Sequence, residues 1–352
     1  MHDWRSAAPL SVALPPQLAV SIPWRLVATG LAVPVGPWQS AGSKGGILLL
    51  AAHELSQGER DEVLDSANWA WVHLTSAGAD FIDLARWPRD RLLTRSWQCY
   101  AAPLAEYAIT AIATHEWRNG ARWEAPAATG QAGLWRARIA IAGWGAVGQR
   151  IATVAAALGA TVQVLSRTPR PPNGPISHTT DIEDLLDADH LVVALPLTPQ
   201  TRLLFDRHIL AGARPGLHLV NLSRAEIVDQ DALYALCRQG HLAATLDVSD
   251  PEPLPAGHPL RSLPSVRYSP HLAWRSRESE YAFIEDLADI WSALARGTVN
   301  VPGTVGDSRP ERARAAVAGR DPRGASQSPT DRRTARQASR ATAPTTGQGA
   351  GR

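Results

Sequence analysis

The feature that most constrains this chain is a glycine-rich turn at residues 143–148, with the sequence GWGAVG. The apolar run Arg138–Ala142 before it indicates a strand, and an amphipathic segment after it predicts a helix. A G-x-G-x-x-G turn in this setting is typical of a dinucleotide-binding βαβ unit. There Gly143 permits the tight bend, Gly145 lets the backbone approach a pyrophosphate, and Gly148 allows close packing of helix on strand.

Repeated strand and helix signals after this turn set the expected fold class. Short apolar runs indicate strands that are buried on both faces, and helical patterns stand between them. The predicted strands after the turn are Thr161–Leu165, His190–Leu195, His218–Leu222 and Ala243–Val248. Helices are predicted at Ile182–Leu186, with Asp181 as N-cap, and from Asp229 to Gly240. This alternation predicts an α/β protein with a doubly wound parallel sheet.

The remainder of the chain has a weaker α/β pattern. The clearest elements among the first hundred residues are a strand at Gly46–Ala52, a helix at Ser56–Ala67, a strand at Trp71–Leu74 and a turn at Ser76–Asp80. Two long helices are predicted at Pro103–Trp117 and Ser276–Arg296.

Length and composition limit the class of protein. A chain of 352 residues is typical of two domains, and its two cysteines, Cys99 and Cys237, support neither a disulfide framework nor a zinc cluster. Prolines interrupt the first thirty residues, which contain no long apolar segment for secretion. The histidines have no metal-ligand spacing. We therefore expect a cytoplasmic protein without a membrane span and predict no metal site.

The composition changes from Gly303 to Arg352. This segment has ten Arg against four acidic residues, no aromatic residue and few large aliphatic residues. It cannot bury enough apolar surface to offset the entropy cost of ordering, so a disordered basic tail is predicted over 303–352. A basic tail can contact nucleic acid, but without interleaved aromatic residues a solvated extension is the favoured interpretation. Its deletion is expected to leave turnover unchanged.

The end of the second predicted strand bears on the choice of dinucleotide. A ribose 2′-hydroxyl is normally held by an acidic residue about 20 residues beyond the glycine turn. This chain instead has Ser166, Arg167 and Thr168 after the strand, with no acidic residue beside them. A hydroxyl and a guanidinium suit a 2′-phosphate, with Arg167 as the main charge partner. The sequence therefore favours NADP(H), with NAD(H) as the alternative.

Three polar residues downstream of the turn, Arg224, Glu252 and His271, each follow a strand-like run. Reduction of a 2-keto acid needs a cation for the substrate and an acid for the developing alkoxide. Arg224 can grip carboxylate and keto oxygen together, and His271 changes charge near neutral pH. Glu252 beside the imidazole favours its protonated form. Each residue alone has an ordinary structural explanation, but together they indicate hydride transfer between a nicotinamide and C2 of a 2-keto or 2-hydroxy acid.

The order and spacing of these residues resemble the D-isomer-specific 2-hydroxyacid dehydrogenase family. Residues 221–229 (NLSRAEIVD) resemble its arginine motif, and residues 246–254 (LDVSDPEPL) its glutamate motif. Residues 269–273 (SPHLA) resemble its histidine motif, and Ser76–Asp80 its substrate-carboxylate loop. The loop after the second strand is most similar to the NADP-dependent glyoxylate and hydroxypyruvate reductase branch.

The resemblance implies a Rossmann cofactor domain at 103–274 and a smaller flavodoxin-like α/β substrate domain formed from both chain ends, 1–102 and 275–302. It also implies a homodimer packed through the cofactor domains. The implied substrate contacts are Ser76, Ala77, Gly78, Arg224 and His271. The implied cofactor contacts are Gly143, Trp144, Gly145, Ala146, Val147, Gly148, Ser166, Arg167, Thr168, Leu195, Pro196 and Asp247. Of these, Asp247 is expected to face the nicotinamide amide.

Two alternatives remain open beside a D-2-hydroxyacid dehydrogenase. One keeps the fold but changes the reaction to formate or phosphite oxidation, and no sequence feature favours it. The other is a dinucleotide-sensing interaction protein with little turnover, similar to the family's transcriptional corepressors. The basic tail is its only support, and the intact trio of Arg224, Glu252 and His271 argues against it.

Overall fold

The chain forms two compact units. The computed structural model describes residues 10–13, 32–35, 46–50, 58, 60–62, 69–120, 133–298, 300–311 and 313–314. One unit combines the two ends of the chain, Met1–Arg95 and Leu287–Arg352, and the other is the continuous segment Ser96–Asp286. The α/β class with a Rossmann-like parallel sheet is confirmed.

The first unit contains a five-stranded sheet in which all neighbouring strands pair in parallel. Its strands are β1 (Leu10–Ala13), β2 (Ala32–Val35), β3 (Gly46–Leu50), β4 (Trp69–Leu74) and β5 (Leu92–Arg95). They lie in the order β2-β1-β3-β4-β5. The predicted strands at 46–52 and 71–74 correspond to β3 and β4. Of the predicted helix at 56–67, residues 58 and 60–62 are helical, and the rest lies outside the described residues.

A buried polar cluster joins β4 to β5. The indole N–H of Trp71 donates a hydrogen bond to the hydroxyl of Thr94 at 2.7 Å, and Nδ1 of His73 lies 2.7 Å from the same oxygen. Complete burial lowers the pKa of His73 to about 3. The imidazole is therefore neutral at physiological pH, and the cluster supports the sheet without adding charge to it.

The predicted disorder does not begin at Gly303, and the prediction is wrong for the first residues of that segment. The carbonyl of Gly303 accepts from the N–H of Arg95, the N–H of Val305 donates to Leu93, and the Ser308 hydroxyl accepts from the N–H of Leu93. These bonds satisfy the free edge of β5, and the side chain of Val305 is buried. The free strand edge supplies the stabilisation that composition alone does not reveal. Residues 315–352 lie outside the described residues.

The second unit contains a seven-stranded sheet, again parallel at every pairing. Its strands are β6 (Arg138–Ala142), β7 (Thr161–Leu165), β8 (Ile176–Thr179), β9 (His190–Val193), β10 (His218–Asn221), β11 (Ala243–Leu246) and β12 (Val266–Tyr268). The α-helices described in the chain are α1 (Ala101–Gly120), α2 (Ala146–Ala157), α3 (Arg207–Ala211), α4 (Gln230–Arg238) and α5 (Arg277–Ala295). Helix α5 continues the chain from the second unit into the first.

Both faces of the seven-stranded sheet are buried at its central strands β6, β9, β10 and β11, which explains why these strands are mostly apolar. Along β6, Ile139 and Ile141 belong to one hydrophobic cluster, whereas Ala140 and Ala142 belong to the other. Successive side chains of a strand point to opposite faces, so the two clusters lie on opposite sides of the sheet. Each buried Ile contributes about 1.5–3 kcal/mol through removal of its side chain from water.

Strand order places a topological switch point beside the glycine turn. The sheet has the order β12-β11-β10-β9-β6-β7-β8, so the chain moves outward from β6 in one direction and then returns to β9 on the other side. Ligands of open α/β sheets bind outside the carboxyl ends of the strands at such a point. The turn at residues 143–148 follows β6 directly.

The predicted helices of the second unit are present with small differences. The carboxylate of Asp229 caps α4 by accepting from the N–H of Ala232 at 2.8 Å, as predicted. The segment after Asp181 forms only a short 3₁₀ helix, Glu183–Leu185, although Asp181 accepts from the N–H of Glu183 at 3.0 Å. One short turn can pack Leu185 into the core, and no longer helix is needed there.

Candidate active site

The glycine turn has backbone geometry that excludes side chains at two of its three glycine positions. Gly143 has φ +117°, and a Cβ there would lie 2.5 Å from the carbonyl oxygen of Ala194. A Cβ on Gly148 would lie 2.1 Å from the carbonyl oxygen of Gly143. Glycine at 148 therefore permits the close approach of α2 to the turn, and glycine at 143 permits the close approach of the turn to the segment after β9.

Gly145 differs from the other two glycines because it faces open space. A Cβ there would meet no heavy atom within 4 Å, and the residue is exposed at the N-cap of α2. The first N–H groups and the positive end of the helix dipole are thus accessible to an anion. The structure therefore fits a dinucleotide pyrophosphate, which can approach backbone that no side chain covers.

Trp144 and the residues after β7 line the two sides of this turn. The indole of Trp144 meets His178 edge to face, with 4.5 Å between ring centroids. Ser166 is buried and donates its hydroxyl to the carbonyl of Thr168 at 2.9 Å, whereas Arg167 and Thr168 are exposed. The Ser166 bond shapes the loop so that the Arg167 guanidinium is available to a ligand at the end of β7.

On the other side of the switch point, the segment after β9 is held by hydroxyl groups. The hydroxyl of Ser223 donates to the carbonyl of Val193 at 2.8 Å, and the hydroxyl of Thr201 donates to the carbonyl of Pro196 at 2.7 Å. Leu195 is partly buried and Pro196 is exposed. This segment forms the wall of the switch point opposite the loop after β7.

His271 and Glu252 form the closest pair of titratable side chains in the candidate site. Nδ1 of His271 lies 2.5 Å from Oε1 of Glu252, and both side chains are partly exposed. Burial alone would raise the pKa of Glu252. The hydrogen bond and charge of His271, with smaller contributions from the Ser249 N–H and Arg224, lower it below its usual value. The pair thus contains an ionised carboxylate that orients the ring through Nδ1 and leaves Nε2 for a substrate.

Arg224 lies at the carboxyl end of β10, where a hydrogen bond holds its backbone in place. The side-chain amide of Asn221 donates to the carbonyl of Arg224 at 2.9 Å, and the guanidinium donates to the carbonyl of Ser223 at 2.9 Å. Arg224 is partly buried, and its charge contributes to the lowered pKa of Glu252. The three predicted catalytic residues therefore follow the carboxyl ends of neighbouring strands of the same sheet.

The loop that carries His271 is held by Asp247. The Asp247 carboxylate accepts from the N–H of Leu272 at 2.8 Å, from the N–H of Ala273 at 3.0 Å and from the hydroxyl of Ser269 at 2.6 Å. His271 itself has φ +54°, a left-handed conformation that few non-glycine residues adopt. The carboxylate thus supports a strained histidine backbone, a role that the expectation of a nicotinamide contact had not included.

The predicted substrate loop belongs to the first unit and has an internal support that the sequence did not indicate. The hydroxyl of Ser76 donates to the carbonyl of Gly78 at 2.8 Å. Arg95, at the end of β5, donates from its guanidinium to the carbonyl of Ala77 at 2.9 Å, and burial lowers its pKa. No local motif marks Arg95, because the contact spans 18 residues and depends on the pairing of β4 with β5.

The described part of the chain lacks the features of a metal site and of a membrane span. Among those residues, no cluster of three or more His, Cys, Asp or Glu side chains has the arrangement of a metal site. Within the same residues, every helix is too short or too polar to cross a bilayer.

Residues 104–273 match the family profile described as "D-isomer specific 2-hydroxyacid dehydrogenase, NAD binding domain". The chain is 37% identical over 121 residues to glyoxylate/hydroxypyruvate reductase B of Enterobacter agglomerans, covering 34% of this chain and 38% of that protein. It is 39% identical over 140 residues to glyoxylate/hydroxypyruvate reductase A of Serratia proteamaculans, covering 38% and 44%. The chain thus spans less than half the length of these relatives.

A solved structure extends the similarity beyond the cofactor domain. The D-isomer specific 2-hydroxyacid dehydrogenase of Xanthobacter autotrophicus Py2, in complex with NADPH and MES, is 25% identical with a TM-score of 0.70. The comparison covers 85% of this chain and 99% of that one. The family profile and the solved structure therefore both support a fold that binds a nicotinamide cofactor. Residues 104–273 therefore belong to the NAD-binding domain of the D-isomer specific 2-hydroxyacid dehydrogenase family.

Proposed function

We propose that this protein reduces a small 2-keto acid to the D-2-hydroxy acid, with NADPH as the preferred cofactor, and that the reaction is reversible. The observation that carries the proposal is the 2.5 Å pair of His271 and Glu252, which lies with Arg224 at the sheet edge that also carries the glycine turn. Relatives named glyoxylate/hydroxypyruvate reductase support glyoxylate or hydroxypyruvate as substrate.

His271 is the proton donor of the proposed reaction. A reduced nicotinamide, held through its dinucleotide at the glycine turn, would supply a hydride to C2, and the π electron pair of the keto group would pass to the keto oxygen. That oxygen takes a proton from Nε2 of His271, because Nδ1 is engaged by Glu252. In the oxidation direction, Nε2 takes the proton from the hydroxyl group. Reduction therefore requires the imidazolium form of His271.

Arg224 holds the substrate in the proposed reaction. Its guanidinium is planar and presents several donors, so it can bind a carboxylate oxygen and the keto oxygen together. The same charge stabilises the negative charge that grows on the keto oxygen during transfer. We propose that the backbone N–H groups of Ala77 and Gly78, in a loop supported by Arg95, can bind a carboxylate.

The preference for NADPH is proposed from the loop after β7. Arg167 is exposed there, and Ser166 and Thr168 supply hydroxyl groups beside it. An exposed guanidinium suits a phosphate, since it forms paired charge-assisted hydrogen bonds. The NADPH complex of the similar Xanthobacter enzyme agrees with this choice.

The test is oxidation of NADPH with glyoxylate, hydroxypyruvate, pyruvate and phenylpyruvate, with NADH in parallel. Loss of reduced-nicotinamide absorbance with one of these keto acids is expected. His271→Ala is expected to reduce kcat by about 10²–10⁴-fold, the usual contribution of general acid catalysis, with NADPH affinity retained. Tight NADPH binding without turnover on any keto acid would favour the sensing protein. Loss of NADPH binding in His271→Ala would refute the role assigned to this residue.

A further inference from the structure

A chain of hydrogen-bonded side chains connects helix α1 to the loop that carries His271. The hydroxyl of Tyr107, on α1, lies 2.6 Å from Oγ of Ser269, and Oγ of Ser269 lies 2.6 Å from Oδ1 of Asp247. Tyr107 and Ser269 are 162 residues apart in the sequence, and Asp247 is 1% exposed. The hydrogen-bonded series therefore leads from two partly buried hydroxyl groups to a buried carboxylate, and it depends on the tertiary fold of the second unit.

The last member of this chain fixes the backbone around the proposed proton donor. The side-chain carboxylate of Asp247 accepts from the N–H groups of Leu272 and Ala273. The backbone carbonyl of Asp247 accepts from the N–H of His271 at 2.8 Å. These bonds hold the left-handed backbone at His271. Any change in the charge or position of the carboxylate acts directly on the orientation of the imidazole.

The direction of the hydrogen bonds in the chain follows from chemistry. An ionised carboxylate accepts only, so Ser269 must donate its hydroxyl hydrogen to Asp247. The Ser269 oxygen is then the acceptor, and the Tyr107 hydroxyl is the donor. A serine that accepts from a phenol is a better donor to the carboxylate, because successive hydrogen bonds polarise one another. Tyr107 thereby stabilises the charged form of Asp247 without touching it.

The pKa of the buried Asp247 carboxylate depends on these hydrogen bonds. Burial raises the pKa of Asp247, and the bonds from Ser269, Leu272 and Ala273, with the charge of His271, oppose that rise. Burial also raises the pKa of Tyr107, and the charge of Asp247 raises it further, so the phenol remains a donor. Tyr107 from α1 and His271 from its own loop are the titratable groups that face this carboxylate within the described residues.

We propose that Tyr107 is a positioning residue for His271, acting through Ser269 and Asp247 in the reduction assigned to this protein. Its hydroxyl keeps Asp247 ionised, and the ionised carboxylate keeps the histidine loop in the conformation from which Nε2 transfers its proton. The inference rests on the proposed function for its catalytic meaning, but the hydrogen-bond chain itself is observable without turnover.

Tyr107→Phe removes only the donating hydroxyl. We expect kcat for keto-acid reduction to fall by about threefold to tenfold, the effect of one lost hydrogen bond, while KM for NADPH is unchanged. Loss of the donor also makes Asp247 easier to protonate, so the acid limb of the kcat/KM profile is expected to move to higher pH. An unchanged pH profile in an enzyme with a changed kcat would overturn the proposal, because a merely structural defect leaves that profile in place.

Matched variants separate this role from general destabilisation. Tyr234→Phe deletes the same atom from helix α4, where the ring stacks with Arg238, and is expected to behave as wild type. Ser269→Ala interrupts the chain at its centre and is expected to move the acid limb at least as far as Tyr107→Phe does. Ser269→Thr retains the hydroxyl and should restore the wild-type profile. Failure of Ser269→Thr to restore it, with a wild-type melting temperature, would count against the chain.

A measurement without substrate distinguishes failure of this proposal from failure of the proposed function. The NMR signal of the His271 ring, assigned by its loss in His271→Asn, should report a low-pH transition as Asp247 takes up a proton. Tyr107→Phe is expected to move that transition to higher pH. A shifted transition in a protein without turnover would retain the positioning of His271 and refute the reductase. An unshifted transition in an active reductase would refute the role of Tyr107 alone.

Discussion

At the scale of single residues, Glu252 governs how the site responds to pH. Its pKa is lowered by the bond and charge of His271 despite the opposing effect of burial, so it is ionised throughout the neutral range. Glu252→Gln keeps the shape of the side chain and removes the charge that favours the imidazolium. We expect activity in the reduction direction to fade at a lower pH than in wild type.

The measurement for Glu252→Gln is kcat/KM for reduction against pH in both proteins. The expected direction follows from electrostatics, because a neighbouring negative charge favours the protonated form of a proton donor and its removal disfavours that form. The oxidation direction should show the opposite trend, since it uses the neutral ring. Superimposable profiles would show that the carboxylate does not control the proton donor.

Arg167 is the residue on which cofactor preference is expected to depend. Arg167→Asp replaces the exposed cation after β7 with an anion that repels a 2′-phosphate and accepts from a ribose hydroxyl. We expect affinity for NADPH to fall by about tenfold to a hundredfold, as for loss of a charge-assisted hydrogen bond, with little change for NADH. The measurement is the dissociation constant of wild type and of Arg167→Asp for NADPH and for NADH. Arg238→Asp, an equally exposed substitution on α4, is the control. Equal losses for both cofactors would refute the preference.

At the scale of elements, Gly145 and Gly148 at the start of helix α2 differ in the space available for a side chain. A methyl group on Gly148 would meet the Gly143 carbonyl oxygen at 2.1 Å, so Gly148→Ala must separate helix from strand. We expect a loss of stability of about 1–3 kcal/mol, as in other overpacked sites, together with weaker dinucleotide binding.

Gly145→Ala is the matched substitution, because its methyl group would stand in open space. The melting temperature should stay close to that of wild type, whereas NADPH affinity should fall by about tenfold or more, since the methyl group occupies the approach of the pyrophosphate. Thermal unfolding and cofactor titration of both variants test the pair. Normal NADPH binding by Gly145→Ala would show that the pyrophosphate does not bind at this turn.

The elements that sequence predicts well are those whose signals are local. The strand before the glycine turn, the helix after it and the Asp229 cap each depend on neighbours within a few residues, and each is present. Sequence did not predict Arg95 bracing the loop at Ala77, because that bond needs two paired strands. Nor did it predict the bond between Tyr107 and Ser269, whose geometry exists only after the sheet and α1 have packed.

At the scale of the whole molecule, the extent of the C-terminal region that supports the fold can be tested by truncation. Deletion of residues 315–352 is expected to leave melting temperature and turnover unchanged. Deletion from Gly303 removes the hydrogen bonds to β5 and the buried Val305 and Ala313, so the melting temperature is expected to fall by about 5 °C or more. Thermal unfolding of the two truncated proteins checks this. Equal stability of both would show that the contacts along β5 contribute nothing.

The pairing of β5 with residues near Ser308 has a consequence for biosynthesis. The segment Ser96–Asp286 is continuous, so every contact it needs has emerged once its own residues have been translated. The other unit leaves one edge of its sheet open until the ribosome has added the 215 residues that separate Leu93 from Ser308. During that interval the exposed strand edge is available to wrong partners, and an early stop between α5 and Ser308 would make that exposure permanent.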